Sequence, residues 1–120
     1  MRLPEEFRGR TKKYASAIIR LYVALPKSRK EIDVLGYQLL RAGTSVAAHT
    51  REASRARSDA EFCSKLDGAL QEADEASLWL ELLRDECAIT TTDLQKILAE
   101  TNELISILST MVQKTKRRAE

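Results

Sequence analysis

A chain of 120 residues with 43% hydrophobic content can bury one core without disulfides or a structural metal, so a single domain over residues 1–120 is expected. Four glycines, two prolines and 5% aromatics, in a sequence dominated by Leu, Ala, Glu, Lys and Arg, disfavour any sheet and predict an all-α fold. A net charge of only +2 does not by itself mark a nucleic-acid binder, so the placement of charge has to decide.

The opening MRLPEEFRGR lacks the apolar core of a signal peptide, and no later run reaches membrane-spanning length. A cytoplasmic protein with no membrane partner is expected. The first helix is predicted from about Glu5 to Leu25, where Phe7, Tyr14, Ile18, Leu21 and Leu25 keep one face apolar and Pro26 stops the helix. Ser28 and Glu31 have the spacing of a capping box and would open the second helix, about Arg29 to Arg55. Its apolar seam is Ile32, Leu35, Leu39, Ala42, Val46, His49 and Ala53. Gly36 and Gly43 lie two turns apart beside that seam, each costing about 1 kcal/mol relative to Ala in a helix, a cost that close approach of a neighbouring backbone would offset.

A second capping box, Ser58 to Glu61, opens the third helix, about Asp59 to Cys87, with the seam Phe62, Leu66, Ala69, Ala73, Ala76, Leu80, Leu83 and Cys87. Its small central residues allow a tight crossing. Thr92, Asp93 and Gln95 signal the start of the fourth helix, with the seam Leu94, Leu98, Thr101, Ile105, Leu108, Val112 and Thr115 and a basic tail from about Lys114 that is expected to fray. Short connections make sequential helices antiparallel, giving an up-down-up-down four-helix bundle; a helix pair completed by dimerisation is the alternative. Cys63 and Cys87, on one helix about 36 Å apart, cannot bridge each other and read as reduced packing residues.

Ser45, His49 and Glu52 form a polar strip on the second helix, and Lys65, Glu72 and Glu75 offer matching groups on the third. A di-metal site would need Glu-x-x-His on two helices and two further Glu residues, whereas this chain has one His. The strip therefore reads as a register-fixing polar network, and no catalytic residue, metal or other cofactor is expected. Leu78, Trp79 and Leu82, beside Leu80 and Leu83, make the end of the third helix apolar nearly all round, which points to a subunit interface.

In the predicted topology one end of the bundle gathers Arg2, Arg8, Arg10, Lys12, Lys13, Arg51, Arg55, Arg57, Lys114, Lys116, Arg117 and Arg118, against fewer acids, Glu5, Glu6, Glu52, Asp59, Glu61 and Glu120. Such a cluster can bind phosphates in a sequence-independent, salt-sensitive way. The competing reading is that these cations complement helix carboxyl ends and keep the surface soluble.

The segments Ala42-Gly43-Thr44-Ser45-Val46-Ala47-Ala48 and Arg51-Glu52-Ala53, then Phe62, Lys65-Leu66, Glu72-Ala73, Glu75 and Trp79-Leu80-Glu81-Leu82-Leu83, resemble a small bacterial four-helix-bundle family. That family was first associated with intervening sequences in large-subunit ribosomal RNA genes. The resemblance implies a ring-like homopentamer without enzymatic activity. The family in turn resembles the accessory variability proteins of diversity-generating retroelements, which implies RNA or DNA as a ligand and, by analogy alone, a reverse transcriptase as a partner. Two positions depart from the family pattern: His49 stands where Asn is usual and Gln71 where Lys is common. The expected function is a non-catalytic, homo-oligomeric RNA- or DNA-binding accessory protein, with a structural or protein-interaction scaffold as the alternative.

Overall fold

The computed structural model describes residues 3–119, and Arg2 and Glu120 lie outside them. Four helices run in order, α1 (Glu5–Ala24), α2 (Lys30–Ala53), α3 (Asp59–Cys87) and α4 (Thr92–Ala119), and no strand occurs among the described residues. They form an antiparallel up-down-up-down bundle 50 Å long and about 20 Å across. Helix α2 packs most extensively on α3, α3 on α4 and α1 on α2, while the α1–α4 contact is the smallest.

The α3 seam is buried as its spacing predicts, with Ala69, Ala73 and Ala76 fully shielded from solvent at its centre. Small side chains there let α2 approach closely. On α2 the buried stripe is rotated from the expected one: Gly36, Gly43 and Thr50 are buried, and Leu35 and His49 are only half-buried. The cause is α1, which lies against the glycine edge. A Cβ on Gly43 would stand 2.8 Å from Ile18 Cγ1, and one on Gly36 would stand 2.7 Å from Leu25 Cδ1. Helix α4 is rotated likewise, burying Ile97 and Leu104 and leaving Leu98 and Ile105 half-buried.

The polar members of these stripes satisfy themselves. Thr50, Thr101 and Thr115 each donate their hydroxyl to the carbonyl four residues earlier, at 2.7, 2.7 and 2.8 Å, so they occupy core positions without needing a partner elsewhere. Because Thr101 gives its proton to the Ile97 carbonyl, Tyr14 is the donor in the buried 2.6 Å bond between the two hydroxyls.

Helix ends differ in part from expectation. Ser58 caps α3 as predicted, accepting from the Glu61 amide at 3.0 Å. Ser28 does not cap α2, which begins at Lys30 after an Arg29 cap without a side-chain bond. Glu31 instead pairs with the Arg29 guanidinium, and its carboxyl is held below the usual range by its own backbone amide and then by Arg29. The α4 cap is Thr91, one residue before the expected Thr92, with Leu94 donating to its hydroxyl at 3.2 Å. The tail does not fray: α4 continues helical through Arg118 to Ala119. Ala88 ends α3 in the left-handed region at φ 56°, and the Ile89 amide reaches back to the Leu83 carbonyl at 3.1 Å.

Candidate nucleic-acid interface

The up-down-up-down order brings the start of α1, the end of α2, the start of α3 and the end of α4 to one end. Leu3, Phe62, Met111, Lys114, Thr115 and Arg118 surround a recess of about 130 Å³ there, which ties α1 and α3 to the last turns of α4. On the other flank of α4, Asp59, Cys63, Ser64, Asp67, Thr115 and Lys116 line an open groove of about 560 Å³. Asp59 and Asp67 make that groove's floor acidic, so any anion would be held by the cations around it. Cys63 is half-buried and Cys87 buried, both as free thiols.

Of the sequence-predicted cations, Arg8, Lys12, Lys13, Arg51, Arg55, Lys114, Lys116, Arg117 and Arg118 are exposed and enter no ion pair among the described residues. Arg57 is 90% exposed, with Glu61 3.8 Å away. Arg10 differs. Its guanidinium grips both oxygens of Glu100 at 2.8 and 2.7 Å and reaches Glu103 at 3.0 Å, which drives its pKa further upward and engages it in joining α1 to α4. Lys12 and Lys13 lie one to two turns in from the end, on the outward face of α1. Arg20, which the charge reading passed over, lies with them around a shallow trough also lined by Gly9 and Ser16. The signal that could have found Arg20 is the complete absence of acids between Glu6 and Glu31.

The six polar residues of α2 and α3 divide into two groups. Glu52 stands 3.3 Å from His49 Nδ1 and 3.6 Å from Lys65 Nζ, at the half-exposed α2–α3 edge. The carboxylate lies off the line of a hydrogen bond, so buried His49 Nδ1 has no hydrogen-bond partner. The imidazole fits over Gly68, where a Cβ would come within 3.1 Å of the ring. Ser45, Glu72 and Glu75 instead surround a separate polar recess of about 150 Å³ with Gln38, Arg41 and Ala42. Among the residues singled out for assembly, Leu78 is 47% exposed, and Trp79 and Leu82 are half-buried. The Trp79 indole N–H is buried without a hydrogen-bond acceptor. Val34, Tyr37, Ile19 and Val23 are further exposed apolar side chains.

Comparison with known proteins gives two findings. The profile of the 23S rRNA-intervening sequence protein family matches residues 6–110. The crystal structure of a protein of unknown function from the S23 ribosomal protein family of Bacteroides thetaiotaomicron VPI-5482 is 37% identical in sequence. That similarity covers 88% of this chain and 96% of that one, with a TM-score of 0.79. No curated protein matches the chain.

Proposed function

The chain belongs to the 23S rRNA-intervening sequence protein family, and from that premise we propose that it is a non-catalytic, homo-oligomeric accessory protein that binds RNA or DNA through its basic end. The observation that carries this reading is the set of exposed cations from α1, α2 and α4 at one end, none of them held in an ion pair among the described residues. Cations that merely complemented helix carboxyl ends would belong to α2 and α4 alone; Arg8, Lys12 and Lys13 belong to the amino-terminal half of α1. The family's description makes RNA the first ligand to test. His49 and Glu52 are not assigned a catalytic role, since Glu52 is shared between His49 and Lys65. No helix among the described residues is long and apolar enough to cross a membrane, and a cytoplasmic setting fits an RNA ligand.

Replacing Arg55, Arg57, Arg117 and Arg118 together by Gln should weaken binding to a structured RNA at moderate salt. The slope of log K against log salt should flatten by about 3 to 4, the value for four lost phosphate contacts. Anisotropy titrations at several salt concentrations would measure both quantities. Unchanged affinity and slope would remove this end as the contact surface.

A further inference from the structure

The charged surface does not stop at the end of the bundle. Helix α1 carries Glu5 and Glu6 in its first turn, and no acid follows until Glu31. Its outward face shows Lys12, Lys13 and Arg20, all exposed, around a trough of about 420 Å³ with Gly9 and Ser16. From Arg8 to Arg20 this strip rises about 18 Å along the helix axis. Nothing inside the chain accounts for Gly9: a Cβ there would meet no atom within 4 Å, whereas glycine within a helix is disfavoured against alanine. An acid-free trough flanked by exposed cations and a hydroxyl suits a phosphate backbone laid against it.

The strip offers no surface on which bases could stack. Of the aromatic side chains of α1, Phe7 and Tyr14 are buried, Tyr14 is tied to Thr101, and half-buried Tyr22 packs toward Gly36 of α2 with Lys27 over its ring. Proteins that hold single strands add aromatic platforms to their charge, whereas a duplex presents its phosphates outward and its bases stacked inside.

We propose that the outward face of α1, from Arg8 through Gly9, Lys12, Lys13 and Ser16 to Arg20, is a phosphate-backbone site that lays a base-paired nucleic acid along the side of the bundle. This rests on the nucleic-acid reading of the basic end and extends it to a surface and a ligand form. Three full-length proteins test it against a 24-base-pair RNA duplex, a DNA duplex of that length and the matching single-stranded RNA. They are the wild type, the strip variant Lys12→Gln/Lys13→Gln/Arg20→Gln, and Gly9→Leu. Circular dichroism establishes that each is folded, as expected for exposed residues that make no ion pair among the described residues.

The wild type should bind the duplexes tighter than the single strand. The strip variant should lose about ten-fold or more in duplex affinity at moderate salt, with a slope flatter by about 3 for three lost contacts. Gly9→Leu should weaken duplex binding several-fold by filling the trough. RNA and DNA duplexes differ in groove geometry, and the tighter of the two identifies the source of the phosphates. Wild-type duplex affinity carried unchanged into both variants would overturn the strip, with the basic end still standing through its own four-Arg variant. Tighter binding of the single strand would overturn the duplex assignment, and no binding of any probe by the wild type would overturn the underlying reading itself.

Discussion

Gly43 and Gly36 look equivalent in sequence, yet the residues facing them differ. The atoms nearest a Cβ at Gly43 are Ile18 Cγ1, Cγ2 and Cβ at 2.8, 3.0 and 3.2 Å, all close to the α1 backbone and unable to swing away. At Gly36 the nearest is Leu25 Cδ1 at 2.7 Å, the far end of a flexible side chain. Overpacking costs about 1 to 3 kcal/mol and the helix-propensity gain of Ala returns about 1. Gly43→Ala should therefore lose up to about 2 kcal/mol in urea unfolding, with Gly36→Ala close to neutral; equal losses would mean that α1 shifts as a body. Tyr14 supplies a pH-dependent test. Burial pushes its phenol up to about 12, whereas an unfolded tyrosine titrates near 10. Through that window the folded state holds more protons than the unfolded one, so the contribution is full below pH 10 and is lost as pH rises through 12. Two units correspond to roughly 2 to 3 kcal/mol. The stability advantage of wild type over Tyr14→Phe should shrink between pH 9 and 12, and a constant difference would show that the phenol titrates alike in both states.

At the scale of elements, α1 is the least enclosed helix, resting on α2 and meeting α4 through little more than Tyr14, Thr101 and the Arg10 clamp. The clamp is two-pronged, but its side chains are 34% and 31% exposed, so solvent screens it. A double-mutant cycle on Arg10→Ala and Glu100→Ala should give a coupling of about 0.5 to 1 kcal/mol, with faster amide exchange over residues 5–14 in either single variant. A coupling near zero would leave Tyr14 and Thr101 as the α1–α4 junction. Legibility in the sequence differed from helix to helix. The α3 seam could be read because its three-four run of apolar residues is unbroken from Phe62 to Cys87, even where Trp79 and Leu82 stand beside it. Helix α4 offers Ile97 beside Leu98 and Leu104 beside Ile105, two registers of equal hydrophobicity that share Thr101, so spacing alone does not choose between them. Ser28 fits a capping pattern, but the Leu25–Arg29 connection places the helix start one residue later and turns Glu31 toward Arg29.

For the whole molecule, cations gather at one end and along α1, where Ile19 and Val23 are also exposed, while Leu78, Trp79 and Leu82 lie toward the other end of α3. The basic end was legible because topology alone brings those chain segments together. The strip reaching Arg20 was legible only in part: the acid-free run between Glu6 and Glu31 marks it, but which of its cations share one trough depends on how α1 packs. The polar strip of α2 was read as one network, but about 10 Å of rise along the helix axes separates Glu52, with His49 and Lys65, from Ser45, Glu72 and Glu75. Assembly would build on this arrangement. Copies meeting through the α3 apolar surface would leave the basic ends and α1 strips free, and several weak phosphate-binding surfaces on one particle bind with higher avidity than one. Light scattering of the wild type should give a mass several times 13.5 kDa, and Trp79→Ala with Leu82→Ser should lower it at constant concentration. That variant should also lose nucleic-acid affinity although it touches no cation, a loss that separates avidity from contact chemistry. A monomeric wild type would remove the interface and confine all binding to the surface of one bundle.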